Sequence, residues 1–186
     1  MLTIQQINEI LKVDDAYKQP AKLLSLMLDS TKRVETFEQF LEIEKDLSYE
    51  WFQQAFEDEH ADRKNKKQDF TPQSLSELMA RLLDDGTTYF ESTAGNGGIM
   101  IQAWNRNKKQ WFHAEELSDR SIPFLIFNMS IRGMHGAILH GDSLTREFKN
   151  VYFINNAKND KYSDVIIMPK VDTLANQLDI RKWLDG

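Results

Sequence analysis

Residues 91–98, Glu-Ser-Thr-Ala-Gly-Asn-Gly-Gly, constrain this chain more than any other stretch, because they join two different periodicities. Thr87-Thr88-Tyr89-Phe90 before them is β-branched and aromatic, as a short strand should be. Ile99-Met100-Ile101-Gln102-Ala103-Trp104 after them opens an apolar helix. Gly95, Gly97 and Gly98 permit positive φ and a close approach of backbone to ligand, and a helix starting there points free N–H groups outward. An anionic group is the guest that such a loop predicts. Alone, a strand, glycines and a helix describe any tight βα turn.

The neighbours narrow the reading. Asp69-Phe70-Thr71-Pro72 starts a helix, with Thr71 as N-cap, Pro72 at its first position, and Leu75, Leu78, Met79 and Leu82 as its apolar stripe. Trp111-Phe112-His113-Ala114-Glu115-Glu116-Leu117 reads as an aromatic strand ending in acid. Glu116 falls about 20 residues past the loop, where dinucleotide-binding folds place the carboxylate that accepts ribose hydroxyls. Next come a helix from about Ser118 to Gly133, a strand at Ala137-Ile138-Leu139-His140 and another at Val165-Ile166-Ile167, with Val151–Ile154 as an extra short strand. Alternation of this kind predicts an α/β fold whose parallel sheet has helical crossovers.

In that order and spacing, Phe70-Thr71-Pro72, the 91–98 loop, the Glu116 strand and Gly141-Asp142-Ser143-Leu144 resemble the amino-terminal half of an N6-adenine DNA methyltransferase. The narrower likeness is to the modification subunit of type I restriction systems, with its series FTP, DPACGSGG, GxEL, GDSL and NPPF. It spans roughly 69–171, and its specificity lies in the ensemble rather than in any one motif. The resemblance implies a truncated Rossmann-like methyltransferase sheet that binds S-adenosylmethionine. Phe70 and Thr71 would help to hold that cofactor, and Glu91 keeps the charge of the family's aspartate. Gly95, Asn96 and Gly97 would let the cofactor cross the backbone, Glu116 would take the ribose hydroxyls and Asp142 the adenine amino group.

The chain departs from the family at the catalytic motif, where Asn-Pro-Pro-aromatic falls on Met168-Pro169-Lys170-Val171. Pro169 is the one motif residue retained. A thioether is a weak acceptor and valine has no π face, so methyl transfer to a flipped adenine is expected to be weak or absent. Two functions follow: an S-adenosylmethionine-binding adenine methyltransferase-like protein, or a noncatalytic interaction or regulatory protein of a restriction-modification system that keeps the fold. A phosphate-cradling P-loop does not fit, because no Lys-Ser/Thr pair follows the glycines.

Residues 1–60 predict a helical module, 61–69 a linker and 70–186 the methyltransferase-like α/β domain. Ile4, Ile7, Ile10 and Leu11 behind Thr3 as N-cap mark the first helix; Leu23, Leu24, Met27 and Leu28 mark a second with Pro20 near its start. Phe37, Phe40 and Leu41 suggest a third, and Trp51, Phe52 and Phe56 form an aromatic face suited to core or helix packing. Lys+Arg number 23 against 29 Asp+Glu, so DNA contact calls for a local patch or a partner subunit. Other restriction-modification subunits, or a second copy covering an open sheet edge, are the further partners expected. The absence of cysteine removes disulfides and thiolate chemistry, and His60, His113, His135 and His140 show no metal-ligand spacing. Neither a signal peptide nor a membrane span is legible, which makes a cytoplasmic protein the expectation.

Overall fold

The computed structural model describes residues 2–53, 55–56, 71–83 and 86–168. The predicted linker, Phe70 and Pro169-Lys170-Val171 lie outside the described residues.

Three helices open the chain: α1 (Ile4–Leu11), α2 (Gln19–Met27) and α3 (Ser30–Ile43). At α1, Thr3 Oγ1 accepts from the Gln6 amide while Gln6 Oε1 accepts from Thr3 N, a reciprocal capping box. Asp29 caps α3 through Lys32 N, and Pro20 sits in the first turn of α2, where its missing N–H costs nothing.

The sheet contains β1 (Thr88–Glu91), β2 (Trp111–Glu116), β3 (His135–Asp142), β4 (Glu147–Asn155) and β5 (Asp164–Met168), in that spatial order. Helix α4 (Gln73–Leu82) precedes β1, α5 (Gly98–Arg106) joins β1 to β2, and α6 (Ile122–Ile131) joins β2 to β3. The β1–β2 and β2–β3 pairs are parallel, as expected of helical crossovers. The expectation fails at β4 alone, which is antiparallel to both β3 and β5. The reason is connection length: residues 143–146 and 156–163 are too short for the dozen or more that a parallel crossover needs. Four of the five strands still point one way, giving a mixed but mostly co-directional α/β sheet.

Two helix expectations also change. The cap of α4 is Pro72 rather than Thr71, one residue later than the sequence suggests. Its stripe of Leu75, Leu78, Met79 and Leu82 faces outward, Leu82 being 78% exposed, while Ser76 and Ala80 are the buried pair. Small residues let α4 lie close against α5, which explains the inversion.

All of α6 is buried. Phe127 is its hub, with ring centroids 4.8 Å from Phe40, 5.1 Å from Phe52 and 5.3 Å from Phe37. Through these rings a single apolar cluster runs from Leu2 to Ile154, so the helical segment and one face of the sheet share a core. Ala137, Leu139, Phe148 and Val151 form a smaller cluster on the opposite face.

Candidate functional site

The carboxyl ends of β1, β2 and β3 converge on a cavity of about 470 Å³. Thr71, Glu91, Gly95, Asn96, Glu116 and Asp142, all expected at the site from sequence, line it together. Gly97, also expected there, is not among the residues that line it.

The loop's curvature comes from Gly95 at φ +54° and Gly97 at φ +92°, both in the left-handed region. A Cβ at Gly97 would meet Leu125 Cδ1 at 3.0 Å, so α6 packs against the loop where glycine leaves room. A Cβ at Gly95 or Gly98 would meet no atom within 4 Å, which makes these two positions an open cradle. Gly97 is also the N-cap of α5.

One amide of the glycine loop has a protein carboxylate as its acceptor. Gly95 N donates to Glu116 Oε2 at 2.7 Å, and Ser118 N donates to Glu116 Oε1 at 2.7 Å. Glu116 is thus fixed by two amides while its carboxylate still borders the cavity. Asp142 is held similarly by its own turn, Oδ1 accepting from Leu144 N at 2.8 Å. Ser143 Oγ, donating to the Ser92 carbonyl, ties that turn to the glycine loop.

Glu91 is held differently. The Tyr89 hydroxyl donates to its Oε2 at 2.8 Å. Burial first, and then the neighbouring Glu116 carboxylate, push the Glu91 carboxyl up to about 7 against the lowering effect of Tyr89.

A second polar layer supports the loop, and sequence reasoning missed it. Asn128, inside the apolar run Ile122–Ile131, donates to the Asn96 carbonyl at 2.9 Å and to Glu50 Oε1 at 2.8 Å. Arg132 reaches the Leu47 and Tyr49 carbonyls and Asn128 Oδ1. The signal was legible as an asparagine where the helix should be apolar.

Met168, the one described residue of the catalytic motif, is elsewhere. Register carries Glu91 across Ala114, Ile138 and Tyr152 to Ile167, so β5 stands four strands, about 19 Å, from β1. Met168 follows on that strand and lines no part of the cavity. Among the histidines, His135 Nδ1 accepts from Asn156 N at 3.0 Å, and burial lowers the His140 pKa. Among the described residues no cluster of three or more His, Asp or Glu could hold a metal. Nor is any described helix long and apolar enough to cross a membrane.

A glycine-loop cavity at the carboxyl ends of parallel strands defines the open α/β class that binds ligands beyond its strand ends. Within that class, the family model for N-6 DNA methylases matches residues 46–170, and the chain belongs to this family of N6-adenine DNA methyltransferases. Neither the curated proteins nor the solved structures gave a match to the chain.

Proposed function

We propose that the cavity is an S-adenosylmethionine site and that the chain is a DNA adenine-N6 methyltransferase-like protein related to type I modification subunits, with transfer chemistry weak or absent. The observation that carries this reading is the convergence of Thr71, Glu91, Asn96, Glu116 and Asp142 on one cavity from separate elements. The fit is chemical. Glu116 and Asp142 are acceptors suited to ribose hydroxyls and an exocyclic amine, and the cradle at Gly95 and Gly98 leaves room for a ligand against the backbone. The bound cofactor would supply an electrophilic methyl group.

The position of β5 favours the second half of the proposal. Met168 brings a thioether where the family uses an amide acceptor, on a strand separated from β3 by β4. A retained fold that works through protein contacts, with restriction-modification subunits or a second copy as partners and DNA reached through them, is the alternative this observation supports.

Titration calorimetry with S-adenosylmethionine tests the reading. Micromolar binding is expected, with Asp142→Ala weakening it roughly tenfold through loss of one charged acceptor. Absence of heat and of thermal stabilisation at millimolar ligand would overturn it. A methyl-transfer assay on adenine-containing DNA should give little or no product even where binding is tight.

A further inference from the structure

The β2–β3 register ends at the pair Glu116–His140, so Gly141 and Asp142 run on past the last β2 partner of β3. Asp142 stands at the root of the turn into β4, opposite Glu147. A hairpin tip that overhangs its neighbouring strand takes its lateral position from side chains rather than from the ladder. Two side-chain bonds supply that position here. Ser143 Oγ reaches the Ser92 carbonyl of the glycine loop. Arg146, at the far end of the same turn, sends Nη1 to Glu115 Oε1 and Oε2 at 2.6 and 2.7 Å.

Glu115 is fully buried on β2, one residue before Glu116. Successive strand side chains point to opposite faces, so Glu116 borders the cavity while Glu115 meets Arg146 behind it. The Glu115 carbonyl also accepts from Ala94 N at 3.0 Å. One residue thus holds the glycine loop by its main chain and the 142–146 turn by its side chain. Arg146 has φ +62°, in the left-handed region that a residue with a Cβ enters at a cost. A long charged side chain at such a position calls for a reason beyond the turn itself, and the bond to Glu115 is that reason. The guanidinium also lies over the Phe148 ring, 4.8 Å from its centroid, and His113 Nε2 stands 3.5 Å from Glu115 Oε1. Taking a charge pair out of water costs about as much as the attraction returns, so the pair contributes geometry more than net stability.

We propose that Arg146 and Glu115 are positioning residues for Asp142, clamping its turn to β2 from behind the cavity so that the site selects a purine nucleoside bearing a 6-amino group. This rests on the cofactor reading above and adds to it two residues that do not line the cavity. Asp142 supplies the acceptor; the clamp sets where that acceptor stands relative to Glu116.

The test is a set of equilibrium titrations with S-adenosylhomocysteine and with its analogue that carries plain purine in place of adenine and so lacks the 6-amino group. The wild type should prefer the adenine ligand by about tenfold, the size of one hydrogen bond to a charged acceptor. Glu115→Met combined with Arg146→Met removes the pair without leaving either charge buried alone, so the fold is kept. In this paired variant the preference should fall to within about twofold while affinity for the purine analogue holds, and adding Asp142→Ala should weaken adenine binding no further. Arg146→Gly separates the clamp from the turn, because glycine adopts φ +62° freely yet cannot reach Glu115; it should lose the preference as well. A tenfold preference kept in the paired variant or in Arg146→Gly, an equal loss of both ligands, or a further loss on adding Asp142→Ala would each overturn the positioning role and leave the cofactor site standing. So would a wild type that binds both ligands equally. Failure of both to bind the wild type would overturn the cofactor reading and this inference with it.

Discussion

Replacing Glu116 by alanine is expected to weaken S-adenosylmethionine binding by about 100-fold or more, the largest functional effect of any single change in the cavity. The side chain serves two purposes at once. It offers a carboxylate to the ligand, and its oxygens accept from Gly95 N and Ser118 N, each at 2.7 Å, so it also sets the shape of the glycine loop. Hydrogen bonds to a charged group contribute roughly 1.5–3 kcal/mol each, and truncation leaves both amides unpaired. Glu116→Gln retains one acceptor oxygen and should lose about tenfold. Truncation should also let the Glu91 pKa fall, because the Glu116 carboxylate is one of the causes that raise it. Titrations of both variants, with melting curves to confirm folding, check these outcomes. Equal affinity in Glu116→Ala and wild type would mean that the loop keeps its shape without the carboxylate and that the ligand does not use it.

That link between residues 95 and 116 separates what the sequence could yield from what it could not. Gly95 and Glu116, which line one cavity, were each singled out by the sequence: one by its freedom at positive φ, the other by its distance from the loop. Their direct bond was not, because nothing in the spacing tells whether a carboxylate faces a ligand or a neighbouring amide. The stripe of α4 fails in a related way. Leu75, Leu78, Met79 and Leu82 announce a helix with an apolar face, yet periodicity does not say which way the face turns; Ser76 and Ala80 take the inside because small residues permit the closer approach. The antiparallel β4 was within reach of counting, since residues 143–146 cannot hold a crossover helix. Its opening, where Phe148 stands alone among Glu147, Lys149 and Asn150, hid the strand's true length. By contrast the Thr3 cap, Pro20 and the aromatic faces around Phe40 and Trp51 followed from local chemistry, and the structure has them as read.

Replacing Arg132 by methionine is expected to give the largest loss of stability, on the order of 3–5 kcal/mol near pH 8. Its guanidinium, 4% exposed, donates from Nε to the Leu47 carbonyl at 2.8 Å and from Nη2 to the Tyr49 carbonyl at 2.7 Å. Nη1 donates to Asn128 O and Oδ1 at 3.0 and 2.8 Å. Burial lowers its pKa to about 10, so it stays charged at neutral pH and opposes the negative charge of Glu50. Glu50 is buried as well, and desolvation pushes its carboxyl up to about 7 from an ordinary 4.5. A raised carboxylate pKa fixes the sign: its contribution to stability is complete below about pH 4.5, where both states are neutral, and is lost as pH rises through about 7. The loss amounts to about 3 kcal/mol, and Glu50→Gln, which keeps an acceptor for Asn128 Nδ2, should abolish that slope. The two residues are therefore coupled through pH. At pH 5 a neutral Glu50 does not need the guanidinium, so Arg132→Met costs only its hydrogen bonds and packing. At pH 8 the same substitution leaves an ionised carboxylate without its counter-charge, and the cost should be greater by about 1–2 kcal/mol. Melting curves at both values measure this, with about 2–4 °C expected per kcal/mol in a chain of this size. A cost independent of pH would show that Arg132 acts on the carbonyls alone. A cost that grows with pH, and no longer does so in the Glu50→Gln background, would establish that the charge pair joins the helical segment to the helix supporting the glycine loop.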